Sequence, residues 1–176
     1  MLVKLFTERA ARSQMIKETV HGIVNAREIA AADNCAGLFW GAEDLTADLG
    51  GRSSRAPGGD YHEPVRYARS TVLMAAAATG RPAIDAVFLD IDDETTLRTE
   101  AGAACDVGFA AKGRIHPKQV ATVRAAYAPT GEQVTWARGL IAAVEENGSG
   151  VFRYQGRMVD GPLYTLARTI LSRTEK

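Results

Sequence analysis

Apolar positions along this chain come in two textures that take turns: short dense runs, and longer alanine-rich stretches with helical spacing. QMIKETV (Gln14–Val20) reads as a short strand, and GIVNAREIAAA after it as a helix. AGLFWG (Ala36–Gly41) is a second strand, ended by the acidic stretch GAEDLTADLG. EPVRYARSTVLMAAAATG predicts a helix with Pro64 in its first turn and Gly80 at its stop. IDAVFLDID (Ile84–Asp92) is nearly continuous in apolar residues, as a strand buried on both faces should be. DETTLRTEAGAACDV reads as the next helix. GFAAKGRIH (Gly108–His116) is a fourth strand or strand-like turn, and PKQVATVRAAYA a helix opened by Pro117.

Strands alternating with helices predict parallel βαβ units whose helices cover the sheet. The alternation stops after Pro129. GEQVTWARGLIAAVEE is then a helix, NGSG a turn, and VFRYQGRMV a short hairpin around Gln155–Gly156. GPLYTLARTILSR closes the chain as an amphipathic helix with Leu163, Leu166, Ile170 and Leu171 near one face. The pattern divides the chain into residues 1–128 and 129–176.

Composition narrows the function classes. The 176 residues suffice for one domain with a real core. Lys and Arg (21) balance Asp and Glu (21), so nothing points to nucleic acid or an anionic membrane as partner. No apolar run approaches the roughly 20 residues of a membrane span, and the charged N-terminus MLVKLFTERAARSQ does not read as a secretory signal. Cys35 and Cys105 stand far apart, without a CxxC or a histidine cluster. Both read as small buried residues of a protein in the reducing cytoplasm.

The acids carry the candidate chemistry. Glu18, Asp44, Asp90 and Asp92 sit at the downstream ends of the predicted strands, where α/β sheets and barrels place their active sites. Two readings of Glu43 and Asp44 stand side by side: acids favoured at a helix N-terminus, or ligands of a cation. Asp48 reads as a solvated helix residue, Asp92 or Asp93 as the cap of the helix that follows, and His116 as a structural residue at a helix start. Lys112 and Arg114 read either as contacts for anionic phosphates or as solvated charges. Arg52 and Arg55 either grip an anionic carrier or belong to a mobile loop. His21 has a weak claim to face the site, and Phe39 and Trp40 read as packing residues.

Five motifs in order, ETVHGIVNAREIAAA, GAEDLTADLG, AIDAVFLDIDD, GFAAKGRIHPKQV and GRMVDGPLYTLARTIL, resemble the citrate lyase β-subunit-like members of the HpcH/HpaI aldolase superfamily. The resemblance runs from about Gln14 to the C-terminus. It implies an α/β fold that is the C-terminal half of a TIM (β/α)8 barrel, with a C-terminal helical and hairpin extension serving as lid and oligomer contact. It also implies a Mg²⁺-dependent carbon–carbon lyase or Claisen-type enzyme acting on malyl-, citramalyl- or citryl-type thioesters of CoA or an acyl carrier protein. Position by position, the magnesium ligands fall on Glu18 and Asp44. The backbone of Gly41, Ala42 and Glu43 faces the substrate carboxylate, and Asp160 is the acid or base that reaches into a neighbouring subunit. Asp160 followed by Gly and Pro also suits a helix cap.

The chain departs from the family pattern at three places. Lys17 precedes Glu18 where an apolar residue is usual, Ala111 replaces a common glycine, and the match begins near the fifth barrel strand. Four βα units leave sheet edges open, so association with a second copy or with a missing N-terminal half is expected. Two other readings stay open: a non-catalytic subunit that completes its barrel with another chain, and a thioester hydrolase on the same scaffold.

Overall fold

The structure is a computed structural model that describes residues 19–148 and 150–174. Thr19 opens it as an N-cap, its hydroxyl accepting from the Gly22 amide, so Val20 begins a helix. The expected strand Gln14–Val20 is thus corrected at its end, and its first five residues lie outside the described part. Helix α1 (Val20–Val24) breaks at Asn25 into α2 (Ala26–Ala31). Strand β1 (Leu38–Phe39) then leads into α3 (Ala42–Asp48). Helix α4 (Glu63–Ala78) has Pro64 in its first turn, and Gly80 just past its end at φ +66°. Its buried residues Val65, Ala68, Val72, Ala75 and Ala76 form one helical stripe, which packs on β1 and on β2 (Ala83–Asp85). Helix α5 (Glu94–Val107) is capped by Asp93, whose carboxylate accepts from the Thr96 amide. Strand β3 (Ala111–Lys112) and helix α6 (Gln119–Tyr127) follow.

The three strands pair in parallel in the order β1-β2-β3, with Leu38 beside Ala83, Ile84 beside Ala111 and Asp85 beside Lys112. Among the described residues this is a three-stranded sheet, and no barrel is formed. The strands are also shorter than the apolar runs that predicted them, and side chains explain why. Lys112 Nζ donates to the Ala86 carbonyl and Gln119 Nε2 to the Phe88 carbonyl, so side chains take up oxygens beyond β2 that a longer ladder would use. On the half-buried face, Gly113 lies against Phe39 and Val87: a Cβ there would meet Val87 Cγ1 at 2.8 Å and Phe39 Cε2 at 2.9 Å. Helix α6 starts at Gln119 rather than at Pro117.

The chain forms two compact units that part between Val123 and Arg124. In the second, α7 (Gly131–Asn147) opens with a capping box in which Thr130 and Gln133 satisfy each other's amides. Strands β4 (Phe152–Tyr154) and β5 (Arg157–Val159) form the expected hairpin. Gln155 and Gly156 turn it with positive φ, as a twist-matched two-residue loop requires. Helix α8 (Gly161–Ser172) buries Tyr164 and Ala167 against Ala137, Leu140 and Val159, with Leu163, Ile170 and Leu171 packed on that core. Leu166, expected on this face, is exposed, because the stripe is centred on Tyr164 and Ala167 instead.

Candidate functional site

The acidic stretch after β1 folds into the seven residues of α3, with Glu43 and Asp44 in the first turn. The acids sit where the helix dipole favours them, and they follow the end of a parallel strand. What separates them is their partners. Glu43 accepts a 2.6 Å hydrogen bond from the Ser54 hydroxyl. Asp48, expected to be merely solvated, accepts from the Val20 amide at 2.7 Å and fastens the start of α1 to the end of α3. The exposed Asp44 carboxylate makes no hydrogen bond or ion pair with any described residue. Gly41 and Ala42 are buried beside it. Glu18 lies outside the described residues.

Behind this turn stands a charged cluster that sequence reasoning missed. Asp85 is 1% exposed, on the helix-covered side of β2. Its Oδ1 accepts from Trp40 Nε1 at 3.1 Å and Arg69 Nε at 2.9 Å; its Oδ2 accepts from Arg69 Nη2 at 3.1 Å and Lys112 Nζ at 3.3 Å. Its four lone-pair positions are thereby used. Lys112 Nζ is equally complete: it meets Asp85, the Ala86 carbonyl at 3.0 Å and Glu100 Oε2 at 3.3 Å. Glu100 in turn pairs with Arg55, whose guanidinium lies 4.0 Å over the Tyr61 ring. Burial by itself would push Asp85 up, but the Arg69 hydrogen bonds and the Lys112 and Arg69 charges outweigh it and hold the carboxyl below its ordinary value. Burial also pushes the Tyr61 phenol up, so it stays protonated. The signal for this cluster was in the sequence: an acid inside a buried strand requires a cation from elsewhere in the chain.

The cluster corrects two expectations. Lys112 is fully buried in ion pairs and is neither a phosphate contact nor a solvated charge. Arg55 is committed to Glu100 instead of standing free for an anionic carrier, in a loop where Ala56 N is bonded to Asp60 O and His62 N to Ser54 O. A cleft of about 250 Å³ opens beside it between Arg55, Tyr61, Arg69 and Glu100, with the charges on those walls already paired.

Other predicted residues fall as follows. His116 Nδ1 accepts from the Lys118 amide, the structural role expected of it. Asp90 accepts from the amides of Asp92 and Asp93. Cys35 is buried, but Cys105 is only half-buried. Asp160 occupies the N-cap position of α8, yet its side chain makes no capping bond; only its carbonyl serves the helix. No group of three or more His, Cys, Asp or Glu poised for a metal exists among the described residues. No described helix is long and apolar enough to cross a membrane.

A family model described as HpcH/HpaI aldolase/citrate lyase matches residues 14–117. A citrate lyase subunit beta-like protein of Mycobacterium tuberculosis is 51% identical over 156 residues, which cover 89% of this chain and 57% of that relative. The mitochondrial citramalyl-CoA lyase of Rattus norvegicus is 35% identical over 167 residues, 88% of this chain and 48% of that one. A crystal structure of a Mycobacterium tuberculosis protein in complex with magnesium, acetoacetate and coenzyme A is similar with a TM-score of 0.84 at 49% identity, covering 90% of this chain and 59% of that chain. The chain thus spans about half the length of the curated relatives it matches.

Proposed function

The chain belongs to the HpcH/HpaI aldolase/citrate lyase family, and on that premise we propose that it is a Mg²⁺-dependent carbon–carbon lyase or Claisen-type enzyme. Its substrates are short hydroxy-acyl thioesters of the malyl, citramalyl or citryl kind, carried by CoA or an acyl carrier protein. The observation that carries this reading is the Asp44 carboxylate. It stands at the end of a parallel strand with no partner among the described residues, while its neighbours Glu43 and Asp48 are both committed.

Asp44 and Glu18 are the residues we assign to the metal. A carboxylate suits Mg²⁺, which takes oxygen ligands and usually only one or two carboxylates. Glu18 precedes by two residues the Val20 amide that is bonded to Asp48 on the same short helix. Bound there, Mg²⁺ supplies Lewis acidity toward the substrate oxygen on which charge develops. Gly41, Ala42 and Glu43 present backbone to the substrate carboxylate. When the carbon–carbon bond breaks, the substrate hydroxyl gives up its proton and becomes the carbonyl of the keto-acid product, while the electrons of the broken bond pass to an acetyl-thioester enolate that takes up one proton, so that none is gained or lost overall. Asp160, free of capping duty, gives the proton to the methyl carbon in a neighbouring subunit and takes it back in the condensation direction.

The fold proposal follows the same line. The sheet is an arc of a (β/α)8 barrel whose other strands come from further polypeptide. Residues 1–128 form the barrel part and residues 129–176 the lid and oligomer contact. Calorimetric titration with Mg²⁺ and a radical-free Mn²⁺ titration by electron paramagnetic resonance should both give one site, lost in Asp44→Ala. Condensation of acetyl-CoA with glyoxylate should require Mg²⁺. Metal affinity unchanged in Asp44→Ala, or condensation indifferent to Mg²⁺, refutes the assignment. Malate and free CoA released from malyl-CoA, without condensation, would make the chain a hydrolase instead.

A further inference from the structure

Helix α3 is too short to hold its own geometry. Isolated helices below about 12–15 residues are marginal in water, and at Gly41 this one has no side-chain cap. Its shape is therefore imposed from outside, and the loop between α3 and α4 is what imposes it. At the far end, the Gly51 amide donates to the Thr46 carbonyl at 2.8 Å. At the near end, the Ser54 hydroxyl donates to Glu43 Oε1 at 2.6 Å. Ser54 is only 3% exposed and Glu43 is exposed, so the donor side of this charge-assisted bond is buried and the acceptor side open, at a distance in the range of the strong O–H···O⁻ class.

The loop is itself anchored. Arg55 and Tyr61 form an antiparallel bridge, and Arg55 pairs with Glu100 on α5. Tyr61 meets the Trp40 ring edge-on, with centroids 5.8 Å apart. Trp40 immediately precedes Gly41 and is pinned by its indole N–H to Asp85. The Trp40–Asp44 turn is thus held from behind by Asp85 and from the side by Ser54.

We infer that Ser54 and Glu43 form a latch that positions the Asp44 carboxylate, making both positioning residues for the metal site and giving the Glu43 side chain a role other than ligation. The inference rests on the reading of Asp44 as a metal ligand. Three variants isolate it. Ser54→Ala and Glu43→Ala both break the bond, whereas Glu43→Gln keeps an acceptor oxygen for the Ser54 hydroxyl. Partners that orient a metal ligand change metal affinity by about 10- to 100-fold when removed. Mn²⁺ affinity should accordingly fall by at least about tenfold in Ser54→Ala and in Glu43→Ala. Their double variant should fall no further, because the two residues act as one unit, and Glu43→Gln should stay near the wild type.

A second readout does not need the metal. Trypsin cuts after Arg52, two residues before the latch, and in metal-free protein that cut should come about tenfold faster in both alanine variants. Equal losses of Mn²⁺ affinity in Glu43→Gln and Glu43→Ala, with Ser54→Ala normal, would make Glu43 a direct ligand and overturn the latch. Faster trypsin cleavage with unchanged Mn²⁺ affinity would leave Ser54 a loop anchor with no positioning role, which also overturns it. A wild type that binds no Mn²⁺ defeats the reading of Asp44 and the positioning role with it, while the trypsin comparison still judges the bond itself.

Discussion

Replacing Asp85 by asparagine removes one charge from the most deeply buried ionic cluster described in this chain while leaving its volume almost unchanged. Lys112 has a side chain with 0% exposure, so it cannot turn to water when its partner is neutralised. It keeps Glu100 at 3.3 Å, but that carboxylate already serves Arg55. The amide oxygen can still accept from Trp40 and Arg69. Its NH₂ then faces both Arg69 Nη2 and Lys112 Nζ, donor against donor. Breaking a buried ion pair from one side typically costs about 3–5 kcal/mol, and we expect Asp85→Asn to fall in that range near neutral pH. Urea unfolding followed by tryptophan fluorescence measures it. The two tryptophans lie one in each compact unit, so a Trp136→Phe background makes Trp40 report on the first unit alone. The acid limb supplies the sign. Asp85 has a lower pKa folded than the roughly 3.9 of an unfolded aspartate. Its contribution is therefore complete above about pH 4 and is lost as pH falls through the folded value. Wild type and Asp85→Asn should converge in stability in acid. A loss below about 1 kcal/mol at pH 7, or a gap that stays constant from pH 7 to pH 2, would refute a stabilising charge at Asp85.

Asp160→Asn should keep wild-type Mn²⁺ affinity while turnover falls by about 10²-fold or more. Mixing it with Asp44→Ala subunits should restore activity if the carboxylate acts across chains, and full activity in Asp160→Asn alone would remove it from the reaction. Gly113→Ala should destabilise the first unit by about 1–3 kcal/mol in the same urea assay, because the new Cβ lands 2.8 Å from Val87 Cγ1 and 2.9 Å from Phe39 Cε2. Unchanged stability there would mean that this face of the sheet yields without cost.

Local chemistry was legible in the sequence, and long-range pairing was not. The cap before ETTL, read as Asp92 or Asp93 and found at Asp93, the Gln155–Gly156 turn and Pro64 at the start of α4 each depend on residues within a few positions. The parallel order of the strands was equally accessible, because a helix between two strands leaves few other topologies. The lengths of those strands were not. An apolar run records burial on both faces, whereas a ladder also needs free backbone oxygens, and Lys112 and Gln119 had taken those of Ala86 and Phe88. The Asp85 cluster escaped notice for a related reason: its partners Trp40, Arg69 and Lys112 lie 45, 16 and 27 residues away.

The loop after α3 shows how composition can mislead when partners are distant. GGRSSRAPGGDY has the glycine and arginine content of a mobile connection, yet Ser54 and Arg55 each find an acid, one 11 and one 45 residues away. Both acids were visible, but Glu43 reads as a helix N-terminal acid, a cation ligand or a substrate contact, and nothing in the sequence marks Glu100 as a partner. A serine between Ser53 and Arg55 carries no signal of its own. Only the fold shows that the acids of the GAED turn divide their work, with Glu43 bound to the loop and Asp44 left open. For the site proposed on this seven-residue helix, that division matters as much as the carboxylates themselves: a ligand on an unsupported turn would have its geometry set by thermal motion, whereas one on a turn held by the Ser54–Glu43 bond would have it set by the fold.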